Sequence, residues 1–194
     1  MSYVQETFDH AVEEYEEAKR IIEVLSDLIR TIKPDFSTEI AQKEFDHILQ
    51  CILIHVAMSD GDFAPIESEF IKKITTHGDI LAFVREKTGI DALNWDNIQL
   101  VGKDAQKQLM RVIETELDTY IDDFVQPFAV INAISVKNNY EDYHQRLGVQ
   151  IIRIASDLSR IDGVHEDIED DTAIRKTVNV FDSKWFAAQN KVDI

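Results

Sequence analysis

Two short acidic frames hold the residues best suited to chemistry. Asp60-Gly61-Asp62-Phe63-Ala64-Pro65-Ile66-Glu67 returns as Asp162-Gly163-Val164-His165-Glu166-Asp167-Ile168-Glu169, each reading Asp-Gly, five residues and Glu. Carboxylates gathered at a turn after glycine are hard oxygen donors, which calcium and magnesium take at about 2.0–2.6 Å. Asp60, Asp62 and Glu67 are close enough in sequence to share one ion, and so are Asp162, Glu166 and Glu169. In a two-fold repeat the turns could also face each other and pool these donors. The competing chemistry is local. Glu67 and Glu169 stand three residues after Ala64 and Glu166, where a carboxylate satisfies the amides of a first helical turn. Asp60 and Asp162 could bond their own turn backbone. The frames match only the second half of an EF-hand loop, whose first two ligand positions would fall on Val56 and Met58, or on Leu158 and Arg160. A full EF-hand is not expected.

A second constellation is the pair of Glu-x-x-His runs, Glu44-Phe45-Asp46-His47 and Glu141-Asp142-Tyr143-His144. Residues three apart share a helix face, and di-iron carboxylate bundles use two such pairs with two further glutamates. Both runs fall near helix starts among polar neighbours, so a ferritin-like enzyme is the weaker reading. Cys51 and His55, one helical turn apart, have the types of a nucleophile and its base. Their apolar surroundings favour core packing, because burial raises a thiol's pKa and hides it from substrate. There is no Gly-rich phosphate loop, Gly-x-Ser-x-Gly elbow or His-Glu-x-x-His helix. No catalytic residue and no organic cofactor is expected.

Each acidic frame follows one apolar helical run and precedes another. This helix, acidic turn and helix, occurring twice, resembles the TerB-like tellurite-resistance domains, over residues 37–181 loosely. The resemblance implies an all-α module of two related halves whose carboxylates bind a divalent cation, in a protein of tellurite or other stress resistance. The second frame departs from the first, with Val164 in place of Asp62 and His165 in place of Phe63, which weakens any site there.

Composition narrows the partners. With 37 acidic against 20 basic residues the net charge is −17, a surface that repels nucleic-acid phosphates and anionic lipid and favours cations and basic partners. The same charge also serves plain solubility. The sole cysteine, Cys51, excludes an internal disulfide and suits a reducing cytoplasm. No run reaches the roughly 18–20 apolar residues of a membrane span, and residues 1–10 do not read as a secretion signal.

The elements that must position these residues are helices, as 6 Gly and 3 Pro in 194 residues suggest. Residues 2–32 carry Val4, Phe8, Ala11, Tyr15, Ala18, Ile22, Leu25, Ile29 and Ile32 at alternating spacings of four and three, one narrow stripe along a long helix. The stripe either packs on the rest of the chain or forms a homodimer seam or a docking arm for a protein partner. Pro34 ends this arm, residues 1–33, and a helical domain follows over 34–194, with halves at 37–89 and 104–181. Ser37 caps a second helix whose apolar residues wrap much of its circumference, as suits a bundle interior. Pro65 opens a third, Gly89 closes a fourth, and residues 90–102 connect the halves. The next helix runs from about Asp104 to Pro127, which bends or ends it, and 128–136 is again helical. Asn138 or Asn139 caps the helix over 140–161. Its Leu147, Ile151, Ile154 and Leu158 lie 102 residues after Phe45, Leu49, Ile52 and Val56, the offset that also superposes the acidic frames. A final helix spans about 167–181, and Trp185 and Phe186 in the tail dock on the bundle. The expected fold is therefore an all-α bundle of two pseudo-repeated halves with a long N-terminal helix.

Overall fold

A computed structural model describes residues 2–59, 63–76, 78–161 and 168–191, the side chains of 168–170 excepted. Among the described residues there are seven α-helices and no strand. They are α1 (Tyr3–Arg30), α2 (Thr38–Ala57), α3 (Pro65–Ile74), α4 (Ile80–Thr88), α5 (Lys103–Lys137), α6 (Tyr143–Leu158) and α7 (Ile168–Gln189), with a 3-10 turn at Ile98–Leu100. No described helix is long and apolar enough to cross a membrane.

The stripe of α1 is buried inside its own chain from Phe8 to Ile29. Phe8 packs on Phe70 of α3 at 5.4 Å between ring centres, and the Tyr15 hydroxyl donates to buried Asp46 of α2 at 2.6 Å. Toward α6, His10 meets Asp157, Glu14 meets Arg153 at 2.9 Å and Glu17 meets Arg146. Ile32 leaves the stripe. The helix ends at Arg30, four residues before Pro34, and Ile32 is 73% exposed in the turn beyond it.

Ser37 caps α2 through its Oγ, which accepts the Ile40 amide at 3.2 Å. Apolar residues all round this helix bury it at the centre: Phe45, Ile48, Leu49, Cys51, Ile52, Leu53 and Ile54 are fully covered. Buried Gln50 clamps the chain that passes over it, donating to Thr75 Oγ1 and the Gly78 carbonyl while its Oε1 accepts the Ile80 amide. Gly89 at φ 69° ends α4 in the left-handed conformation that glycine adopts at no steric cost.

Three expected boundaries move. Pro127 does not end its helix, and α5 runs unbroken through it for 35 residues. Proline removes one backbone bond from a helix interior, but buried Phe124, Val125, Phe128 and Ala129 hold both sides of the site in register. Neither Asn138 nor Asn139 caps α6. Asp142 does, its carboxylate accepting the Gln145 amide at 3.2 Å, while Asn139 takes a positive φ of 58° in the preceding turn. Finally, α7 absorbs the tail to Gln189, which buries Trp185 completely and leaves Phe186 52% exposed.

Candidate functional site

Of the acidic frames, Glu67 lies in the described structure with its side chain. Its Oε2 accepts the Ala64 amide at 2.6 Å, where Pro65 opens α3. This is the first-turn bond that a carboxylate makes at a helix start. Asp60, Asp62, Asp162 and Glu166 lie outside the described residues, and so does the side chain of Glu169. Among the described residues no group of three or more His, Cys, Asp and Glu is arranged to hold a metal ion.

The two Glu-x-x-His pairs have separate local roles. His47 packs on Tyr120 of α5 at 5.0 Å between rings, and burial holds its pKa below 6.5. Burial and then the neighbouring Asp123 raise the Glu44 carboxyl. His144 sits among Phe181, Trp185 and Phe186 of α7, with Nε2 at 2.8 Å from Asp182. The carboxylate of Glu141 binds Arg146. Asp182, the partner that fixes His144, lies 38 residues from it, and no local spacing announces the contact.

Cys51 is completely covered, and burial pushes its thiol far above the ordinary range, so little thiolate exists to attack anything. His55 borders a cavity of about 300 Å³ with Leu117, Val180 and the Glu114–Lys176 ion pair. Its Nδ1 has no hydrogen-bond partner among the described residues, and burial first, then Lys176, lower its pKa.

A cavity of about 860 Å³ forms a groove between the C-terminal ends of α1 and α5, bordered by the α5–α6 turn. Its apolar surface comes from Leu28, Ile32, Ile131, Ile134, Tyr140 and Tyr143. Ile32 and Tyr140 are 73% and 77% exposed, Leu28 and Ile134 37% and 44%. The turn is built firmly. Ser135 Oγ donates to the Glu141 carbonyl at 2.7 Å, and Asn132 bonds both the Asp142 carboxylate and the His144 amide. The volume lies in the range of ligand sites, and mostly apolar walls with a few polar groups are their usual composition. Exposed aliphatic and aromatic residues grouped around one depression also mark docking surfaces. The spacing of α1 pointed to its stripe, not to this groove, because the groove exists only where two helix ends and a turn meet. One sequence signal was present. Residues 28–34 and 131–140 contain no Asp or Glu in a chain with 37 of them.

Compared with known proteins, the chain matches no family model, no curated protein and no solved structure.

Proposed function

We propose that this chain is a non-enzymatic helical interaction protein that docks an amphipathic helix of a partner protein in the groove between α1 and α5. The groove itself carries the reading: exposed Ile32, Ile134 and Tyr140 surround a cavity of about 860 Å³ walled by two helices. A third helix laid between two others buries its apolar stripe in this way. The groups with catalytic types are engaged in packing, His144 among three aromatic rings and Cys51 under complete cover. Fluorescein-labelled amphipathic peptides of either charge, titrated into the chain and into its Ile134→Glu variant by anisotropy, test this. At least one peptide binds saturably to the parent chain and loses that binding in the variant. Equal binding by both proteins, or none by either, sinks the reading.

A second reading keeps the cation. Helix α6 starts 105 residues after α2, and both apolar sets at the offset of 102 are fully covered. This favours two related halves of TerB-like organisation, with a divalent cation such as calcium or magnesium at their acidic elbows and a role in stress or tellurite-type resistance in the cytoplasm. The bond from Glu67 to the Ala64 amide supports the opposite, a purely structural elbow. Calorimetric titration with calcium, magnesium, manganese and zinc separates them. Heat that disappears in the Asp60→Asn, Asp162→Asn double variant supports the cation.

A further inference from the structure

A slot of about 340 Å³ opens between α6 and α7, and its lining shares no residue with the groove between α1 and α5. Gly148, Val149 and Ile152 form one side on a single face of α6, and Val178, Asp182 and Phe186 form the other, each a helical turn from the next along α7. Val149, Ile152 and Phe186 are 37%, 40% and 52% exposed. Gly148 deepens the slot. It lies inside α6, where glycine is the poorest helix former after proline. Apart from its chain neighbours and its own helix backbone, no atom stands within 4 Å of the place that a Cβ would take. Neither crowding nor a left-handed backbone calls for glycine here, and its bare Cα leaves a notch in the floor. The slot is also acidic, for its lining holds Asp142 and Asp182 and no lysine or arginine. Asp142 accepts from the Gln145 amide and the Asn132 side chain, and Asp182 meets the His144 ring at 2.8 Å. The arginines and lysines of both helices are paired with other carboxylates: Arg146 with Glu17 and Glu141, Arg153 with Glu14, Arg175 with Asp171, Lys176 with Glu114, and Lys184 with Asp118 and Asp122.

We infer that this slot binds a small organic cation, an ammonium or guanidinium group carried on an apolar body. The body lies over the Gly148 notch between Val149, Ile152 and Val178, and the charged head faces Asp142 and Asp182 beside the exposed ring of Phe186. A carboxylate bordered by apolar walls attracts a cation more strongly than one in open water, because the low-dielectric walls focus its field. An aromatic ring adds to the attraction when the cation lies within about 6 Å of its face. Both acids are preset. Asn132 bonds Asp142 and the His144 amide, and His144 holds Asp182, so one network fixes the two carboxylates before a ligand arrives. An anion of the same shape meets two carboxylates and no positive partner, and is rejected. The acidic surface elsewhere also attracts cations, but without the apolar walls and the notch that select a body of this size.

Phenylpropylammonium, phenylpropanol and phenylpropionate, alike in shape and different in charge, are titrated into the isotope-labelled full chain at physiological salt. Binding is read from the amide shifts of Gly148, Val149 and Phe186, which separates the slot from loose adhesion elsewhere. The ammonium probe moves these amides saturably and binds at least about tenfold tighter than the alcohol or the acid. Asp142→Asn combined with Asp182→Asn keeps the helix cap and a partner for His144, and brings the ammonium down to the affinity of the alcohol. Gly148→Leu fills the notch and abolishes the saturable shifts without lowering the melting temperature, because leucine favours helix and its Cβ has open space. If the alcohol or the acid binds as tightly as the ammonium, the cation is wrong. If no probe shifts these amides, or if the shifts survive Gly148→Leu, the slot is no site and the inference falls. A lower melting temperature in Gly148→Leu would mean that packing requires the glycine, and would equally overturn it. None of these results touches the docking reading, whose groove is lined by other residues.

Discussion

At the scale of single residues, buried polar groups decide more than the charged surface does. Gln50 makes three hydrogen bonds from a position 1% exposed and holds the passage from α3 to α4. Leucine in its place leaves the Ile80 amide and the Gly78 carbonyl without their partner, so Gln50→Leu lowers stability by about 2–4 kcal/mol in urea unfolding. His55 acts in the opposite sense. Its Nδ1 has no partner among the described residues, and burial keeps its pKa below the ordinary 6.5. The unfolded chain then binds more protons than the folded one below pH 6.5, and stability falls as pH falls from 6.5 through the lowered value. His47 adds to this with the same sign. His55→Leu therefore flattens the acid side of a melting-temperature profile and costs little at neutral pH. The burial of Cys51 was legible from its apolar neighbours. The aromatic surroundings of His144 were not, because Phe181 and Trp185 approach it from a helix formed far along the chain.

At the scale of elements, α5 passes through a residue that breaks helices elsewhere. Pro127 deprives its helix of one backbone bond, a cost of about 3 kcal/mol in an ordinary interior. Tertiary packing of Phe124 and Phe128 against each other and against Phe45 and Phe36 offsets that cost. Pro127→Ala accordingly raises stability by about 1–3 kcal/mol, read as a higher urea midpoint with an unchanged slope; a lower midpoint would mean that the proline shapes a bend the bundle needs. The seam between α1 and α6 responds to pH. His10 is raised above 6.5, first by its bond to Asp157 at 2.6 Å. Its contribution to stability is therefore complete below 6.5 and is lost as pH rises through the raised value. Asp157 is itself held above the usual carboxylate range by burial, against the pull of His10. The stability difference between the parent chain and His10→Gln shrinks as pH rises above 6.5, and a difference that grew with pH would assign the contact to packing. The stripe of α1 was legible from its spacing; that α6 supplies the charged partners of His10, Glu14 and Glu17 was not.

At the scale of the whole molecule, the proposed cation site and the groove make separate claims. If the elbows bind a divalent ion, saturating calcium or magnesium raises the melting temperature, by about 2.7 kcal/mol of stabilisation at a hundredfold excess over Kd. The Asp60→Asn, Asp162→Asn variant then loses that rise while peptide binding at the groove persists. The helical character of the chain, several of its helix starts and the apolar faces of its helices were legible in the sequence alone. These are properties of neighbours within a few turns, fixed by side-chain periodicity, capping groups and the rarity of glycine and proline. It took the folded chain to show that α1 buries its stripe at home, that α5 runs on through Pro127, and that Ile32, Ile134 and Tyr140 meet in one groove. Each of these depends on which distant surfaces come together, and hydrophobic burial, being non-directional, leaves no mark of that choice in local spacing.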